Sequence, residues 1–269
     1  MYQNSLDYVK KLFNEAIIQS PACNELSERI EVLKNSITKT LYISICRGLF
    51  EQHKLIYSFL ICTSIKRKAH EINEVAWNYL LRGPSLVNKS EQPPKPEDSG
   101  HFMTDMAWDL AYCLQHHLNP YFGDICIKIK DNLAEWENYV INEEDQYLEN
   151  IPCGYGQSLK LFDKLLILKV FKPEKLMFAF SKYVESELGA LYAESPVATM
   201  DALFSDSDKK TPIIFVLSMG ADPTWQVIQF AHKMNFYDKL YYKSLGQGQE
   251  RVATEMIETG KREGHWVLL

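Results

Sequence analysis

No apolar run in this 269-residue sequence reaches the roughly 18 residues that a membrane-spanning helix requires. The N-terminus, MYQNSLDYVKK, lacks the apolar core of a signal peptide. The six cysteines, at 23, 46, 62, 113, 126 and 153, contain no CxxC pair. A chain of this length does not need disulfide staples, so reduced thiols in a cytosolic setting are expected. Excess positive charge is missing too: the net charge is -6, which argues against a nucleic-acid surface. No serine stands in a GxSxG nucleophile elbow. The adjacent acids Glu143 and Glu144 belong to a solvated acidic run, and no catalytic constellation emerges.

The chain does have core-forming residues, 46% hydrophobic against 24% charged, and a division of character along its length. The organising stretch is TPIIFVLSMGADPTW, residues 211–225. An apolar run, Ile213 to Leu217, leads into a short loop and then a helix starting at Pro223, which is the build of a phosphate-binding P-loop. The chemistry of a P-loop is absent. Ser218, Met219, Gly220, Ala221, Asp222 and Pro223 include one glycine and no lysine, and the next lysine is Lys233, inside the helix. Asp222 suits an N-cap with Pro223 at the first helical position, and a carboxylate there repels phosphate. Gly246-Gln247-Gly248 is a lone GxG without the third glycine of a dinucleotide fingerprint, so a tight strand-to-helix turn is the better reading. Cys113, His116, His117 and Cys126 do not have a standard zinc spacing, and no metal is expected.

Before this stretch the sequence is mostly helical. Residues 5–19 carry apolar positions at helical spacing, and Ser20-Pro21 ends that helix. Asn24 is the expected N-cap of a long second helix, whose Leu26, Ile30, Leu33, Ile37 and Leu41 step by four, three, four and four. The pair reads as an antiparallel hairpin, either packed into a helical core or projecting as a coiled coil. Helices are further expected at 53–69, 71–82, 102–118, 121–133, an amphipathic 159–170 and 173–192, with a long loop over 84–100 and an acidic, partly exposed 136–147. Residues 201–210 read as a polar boundary loop. After them, strands at 213–217, 239–245 and 265–269 alternate with helices at 224–234 and 250–262, which predicts a parallel sheet with helical crossovers. Met1 falls almost directly into a helix and the last strand stops in mid-run, so a segment of something longer is expected.

The runs TPIIFVLSMGADPTWQVIQFAHKM and SLGQGQERVATEMIETGKREGHWVLL resemble the sixth AAA+ module of dynein heavy chains. Upstream, MYQNSLDYVKKLF and TLYISICRGLFEQHKLIYSFLIC resemble the stretch that closes the fifth module in the same family, and SLGQGQ is closer to the axonemal form. The middle, roughly 84–150, is less distinctive. The resemblance implies an α/β fold: a largely helical N-terminal region, with AAA+ small-domain helices and a buttress-like hairpin, followed by a truncated P-loop-type parallel sheet. It implies a hairpin and small-domain region of the fifth module over 1–83, a helical region leading into the sixth over 84–210, and the first half of a degenerate α/β domain over 211–269.

In function it implies a non-catalytic part of a six-module motor ring that relays ATP-driven movement toward the microtubule-binding stalk. The buttress-like seam would be Leu26, Ile30, Leu33, Ile37 and Leu41. ATP and Mg would bind in other modules of a parent that is a microtubule-stimulated ATPase. Partners would be neighbouring AAA+ modules and the stalk, then microtubules and dynein intermediate and light chains through the parent, with no nucleic acid and no membrane. The expected location is the cytoplasm and cytoskeleton, in a cilium axoneme. Two other readings stay open: a nucleotide-binding enzyme with an atypical P-loop, and a standalone helical interaction protein.

Overall fold

The computed structural model describes residues 2–83, 89–142, 145–194, 199–208, 212–217, 219–244 and 246–269. The chain divides into two compact units, Met1–Pro196 and Val197–Leu269.

The first unit is helical. It opens with α1 (Tyr2–Gln19) and α2 (Leu26–Cys46), followed by α3 (Glu51–Lys68) and α4 (Glu74–Arg82). Next come α5 (Asp105–His117), α6 (Asn119–Phe122), α7 (Ile125–Asp131), α8 (Leu133–Ile141) and α9 (Tyr155–Ser158). The unit closes with α10 (Leu161–Phe171), α11 (Leu176–Leu188) and α12 (Ala190–Ala193). Capping side chains fix several starts: Asn73 accepts from the Val75 amide at 2.7 Å, and Thr104 accepts from the Ala107 amide at 3.1 Å. Within 84–100, residues 84–88 lie outside the described set, and the remainder makes only short 3₁₀ turns at Lys89–Glu91 and Glu97–Ser99.

The core of this unit centres on α10. Leu165, Leu166, Ile167 and Leu168 are all fully buried, although amphipathicity was expected here. Four consecutive apolar residues cover every side of a helix, so the element is enclosed all round. It packs against α4, α5 and α11. Its one basic side chain in the last turn, Lys169, donates from Nζ to the carbonyls of Tyr79 (2.7 Å) and Leu80 (2.6 Å). Both lie in the last turn of α4, where the Tyr79 carbonyl also accepts the Gly83 amide at 3.0 Å. Trp136, in the stretch expected to be partly exposed, is fully buried against Phe171 with ring centroids 4.4 Å apart. The 121–133 helix is broken in two by a turn at Gly123-Asp124.

The second unit holds α13 (Met200–Asp206), α14 (Thr224–Lys233), β1 (Leu240–Tyr242), α15 (Glu250–Glu263) and β2 (Trp266–Leu268). The strands pair in parallel, Leu240 with Trp266, Tyr241 with Val267 and Tyr242 with Leu268. Gly260 lets α15 lie against β2: a Cβ there would meet Val267 Cγ2 at 2.7 Å and the His265 carbonyl at 3.3 Å. Gly264 ends α15 in the left-handed conformation, φ 72°. Trp266 centres a small aromatic cluster with Phe204, Phe230 and Phe236 at 5.1, 5.8 and 4.9 Å.

Two expectations are corrected here. Residues 201–206, read as loop, continue a helix that Thr199 caps by accepting from the Ala202 amide at 3.3 Å. The polar composition of that short helix hid its aromatic contact, the partly exposed Phe204 on Phe230 and Trp266. The expected strand 213–217 is not a strand of the sheet, which has two members among the described residues. Ile214, Val216 and Leu217 are exposed, and a β-strand is defined by a partner's hydrogen bonds rather than by its own apolar residues.

Candidate functional site

The loop between residue 217 and α14 is shaped by three residues. Gly220 adopts φ 83°, a backbone that other residues rarely take, and turns the chain beside a fully exposed Met219. Ala221, Asp222 and Pro223 then run into the helix. Pro223 already has helical angles (φ -82°, ψ -4°), and Asp222 Oδ1 accepts the Thr224 amide at 2.9 Å. The N-cap is Pro223, one residue later than expected, and Asp222 bonds from just before it, an Asx-type bond to the first helical amide, with the proline ring fixing φ at the helix entry. The Thr224 hydroxyl and amide hold the Asp222 carboxyl below the usual carboxylate range. One of the amides that would meet an anion at this helix start is thus taken by an internal carboxylate, whose charge also opposes a bound phosphate. Ser218 lies outside the described residues.

The cation is equally misplaced. Lys233 is in the last turn of α14, about 15 Å along a ten-residue helix from its start. There it forms an ion pair with Asp201 of α13. The second glycine loop is a turn at 247–248, with Gly248 at φ 82°, between β1 and α15. Of the residues weighed as metal ligands, Cys113 and Cys126 are buried in the helical core, and burial pushes the Cys126 thiol up to about 12. His116 and His117 touch edge to face at 4.9 Å.

The second candidate is the hairpin. α1 packs along α2, and the turn between them is held by Arg29. Its guanidinium donates to the carbonyls of Ile17 (3.3 Å), Ser20 (3.4 Å) and Pro21, sealing the C-terminus of α1. Asn24 is not the cap: α2 starts one residue later, and Glu25 at its N-cap makes no side-chain bond. Inside the pair, Leu12 and Ala16 are buried. The seam is graded. Leu26 (75% exposed) and Ile30 (43%) face solvent, while Leu33, Ile37 and Leu41 are half-buried. Of α2, only Tyr42 and Cys46, in its last turn and a half, are fully buried. On α1, Leu6, Val9, Phe13 and Ile17 form an exposed apolar stripe at helical spacing.

Sequence reasoning missed the residues that fix these elements. Arg29, Tyr42 and Lys169 act through backbone carbonyls outside their own helices, and a pattern of residue types carries no signal for such partners.

An all-helical unit followed by helices around a two-stranded parallel sheet, with an extended run and a loop that enter α14 without a glycine-rich or lysine grip for phosphate, defines a P-loop-type module lacking that grip behind a helical region. Residues 208–269 match the family model described as the dynein heavy chain region D6 P-loop domain. The whole chain is 35% identical over 269 residues to the dynein-1-beta heavy chain of the flagellar inner arm I1 complex of Chlamydomonas reinhardtii, covering 100% of this chain and 6% of that one. It is 33% identical over 288 residues to dynein axonemal heavy chain 6 of Homo sapiens, covering 100% and 7%. Against dynein axonemal heavy chain 1 of Rattus norvegicus it is 34% identical over 267 residues, covering 99% and 6%. The chain belongs to the dynein heavy chain family and spans 6–7% of the length of these relatives.

Proposed function

We propose that this chain is a non-catalytic, mechanical part of an axonemal-type dynein motor ring. It runs from the end of the fifth AAA+ module into the sixth and relays movement from ATP-hydrolysing modules toward the microtubule-binding stalk. The observation that carries this is the Asp222–Thr224 bond: the helix start that would hold a phosphate is capped by a carboxylate of the chain itself. The hairpin α1–α2 adds to it as the force-bearing element, with its apolar stripe turned to solvent. Microtubule motility, microtubule-stimulated ATPase activity, Mg and ATP binding, and intermediate or light chains belong in this reading to the parent motor, working in a cilium or flagellum.

Titration with a fluorescent ATP analogue and Mg²⁺ tests the loop. We expect no saturable binding up to millimolar concentration. Micromolar binding that is lost on changing Gly220 or Asp222 overturns the reading in favour of an enzyme with an unconventional P-loop.

A further inference from the structure

Burial along α2 is one-sided. From Leu26 to Leu41 every residue is exposed or half-buried, and the fully buried Tyr42 and Cys46 come only at the end. A helix of 21 residues is therefore seated in the body by its C-terminal end alone, with the hairpin extending away from that seat. What Tyr42 touches there is specific. Its ring lies 4.8 Å from Tyr192 and 6.2 Å, stacked, from Tyr57 of α3. Its hydroxyl faces the carbonyls of Glu194 (3.3 Å) and Tyr192 (3.5 Å) and also meets the side chains of Ser58 and Cys46. Both distances exceed the usual 2.7–2.8 Å of such bonds, so this is one shared contact rather than two full ones. Burial pushes the phenol up to about 12, so it remains a donor throughout the neutral range. Tyr192 and Glu194 are the end of α12 and the residue after it, and the second compact unit starts at Val197.

We infer that Tyr42 is a positioning residue that couples the seat of the hairpin to the segment leading into the second unit. A swing of α2 pulls on the carbonyls of the last turn of the first unit, and a pull on that segment is felt at the base of α2. The inference rests on the relay reading for its purpose, but not for its geometry.

Hydrogen exchange by mass spectrometry on the 269-residue chain tests it, comparing wild type with Tyr42→Phe, which removes only the hydroxyl. Amides of the last turns of α2 and of 188–194 should exchange together about three- to tenfold faster, the loss of roughly one net hydrogen bond, while α10 keeps its protection. Tyr192→Phe keeps both carbonyls and its ring and should leave exchange at α2 unchanged. Uniformly faster exchange across the first unit, or unchanged exchange at 188–194, overturns the coupling. A parent heavy chain carrying Tyr42→Phe separates the two claims. If the local exchange changes as expected but stepping and ATPase stay normal, the coupling stands and the relay reading fails.

Discussion

At the residue scale, the two most informative side chains are carboxylates at helix starts, Asp222 just before α14 and Asp163 in the first turn of α10, with opposite fates. Asp222 is exposed and bonded to Thr224, and its acidity is enhanced. Asp163, in the first turn of α10, is shielded by the body, and burial raises it despite the opposing charge of Lys160. A helix start favours a carboxylate by only about 0.3–1 kcal/mol, so the upward direction means that desolvation prevails. The sign follows from proton counts. A raised carboxyl binds more protons folded than unfolded, so its ionisation destabilises the fold at neutral pH, and the penalty disappears as pH falls through the folded value toward the unfolded one near ~3.9. Asp163→Asn should therefore stabilise the chain at pH 7, with an advantage that shrinks on acidification and vanishes below that value. Urea titrations at pH 7 and pH 4 check it; a constant advantage, or a loss at pH 7, rules the argument out.

At the element scale, α10 and α4 show how one charge reinforces a helix end that the Gly83 amide already caps at the Tyr79 carbonyl. The end of α4 turns at Gly83 (φ 82°), and two of its last carbonyls, those of Tyr79 and Leu80, receive Lys169 Nζ. Lys169→Met preserves the aliphatic stem and removes the donor. The loss is roughly 2–3 kcal/mol, the scale of hydrogen bonds from a charged group to buried carbonyls. Chemical denaturation should register that loss, and a change under about 0.5 kcal/mol would mean that water replaces the donor. The same elements explain what was legible. Helix existence followed from period and from stop signals such as Ser20-Pro21, and the Asp222–Pro223 start followed from cap chemistry, which is local. The enclosure of α10 was not legible, because burial all round depends on three neighbouring helices. Nor was the pairing state of 213–217 legible: its apolar residues announce a strand, but the hydrogen bonds that make one come from elsewhere in the chain. The seam was half legible. Its spacing located α2, yet spacing cannot tell which end of a helix is seated, and only the Tyr42 end is.

At the scale of the whole molecule, what matters is the apolar surface that the described residues leave open. In the second unit, Ile214, Val216, Leu217, Met219 and Trp225 are all exposed within twelve residues of sequence. Beside them an open cavity of about 890 Å³ is lined by Phe204, Ile213, Phe215, Phe230 and Trp266 among others. Isolated exposed hydrophobics are ordinary on any protein, but an extended run of them next to a two-stranded sheet is a surface made to be covered by other protein. Net charge of -6 spread over the chain is a weak barrier against association through such a patch. The isolated 269-residue chain should therefore associate with itself as its concentration rises, measurable by sedimentation velocity or light scattering. The double change Ile214→Lys and Val216→Lys puts charge on two side chains that touch little of their own unit. It should lower association without lowering the melting temperature. If the charged variant associates as strongly as wild type, the contact lies elsewhere, with the α1 stripe of Leu6, Val9, Phe13 and Ile17 the next surface to charge. If it melts earlier instead, the run contributes to its own unit's core, and its exposure does not mark a surface awaiting other protein.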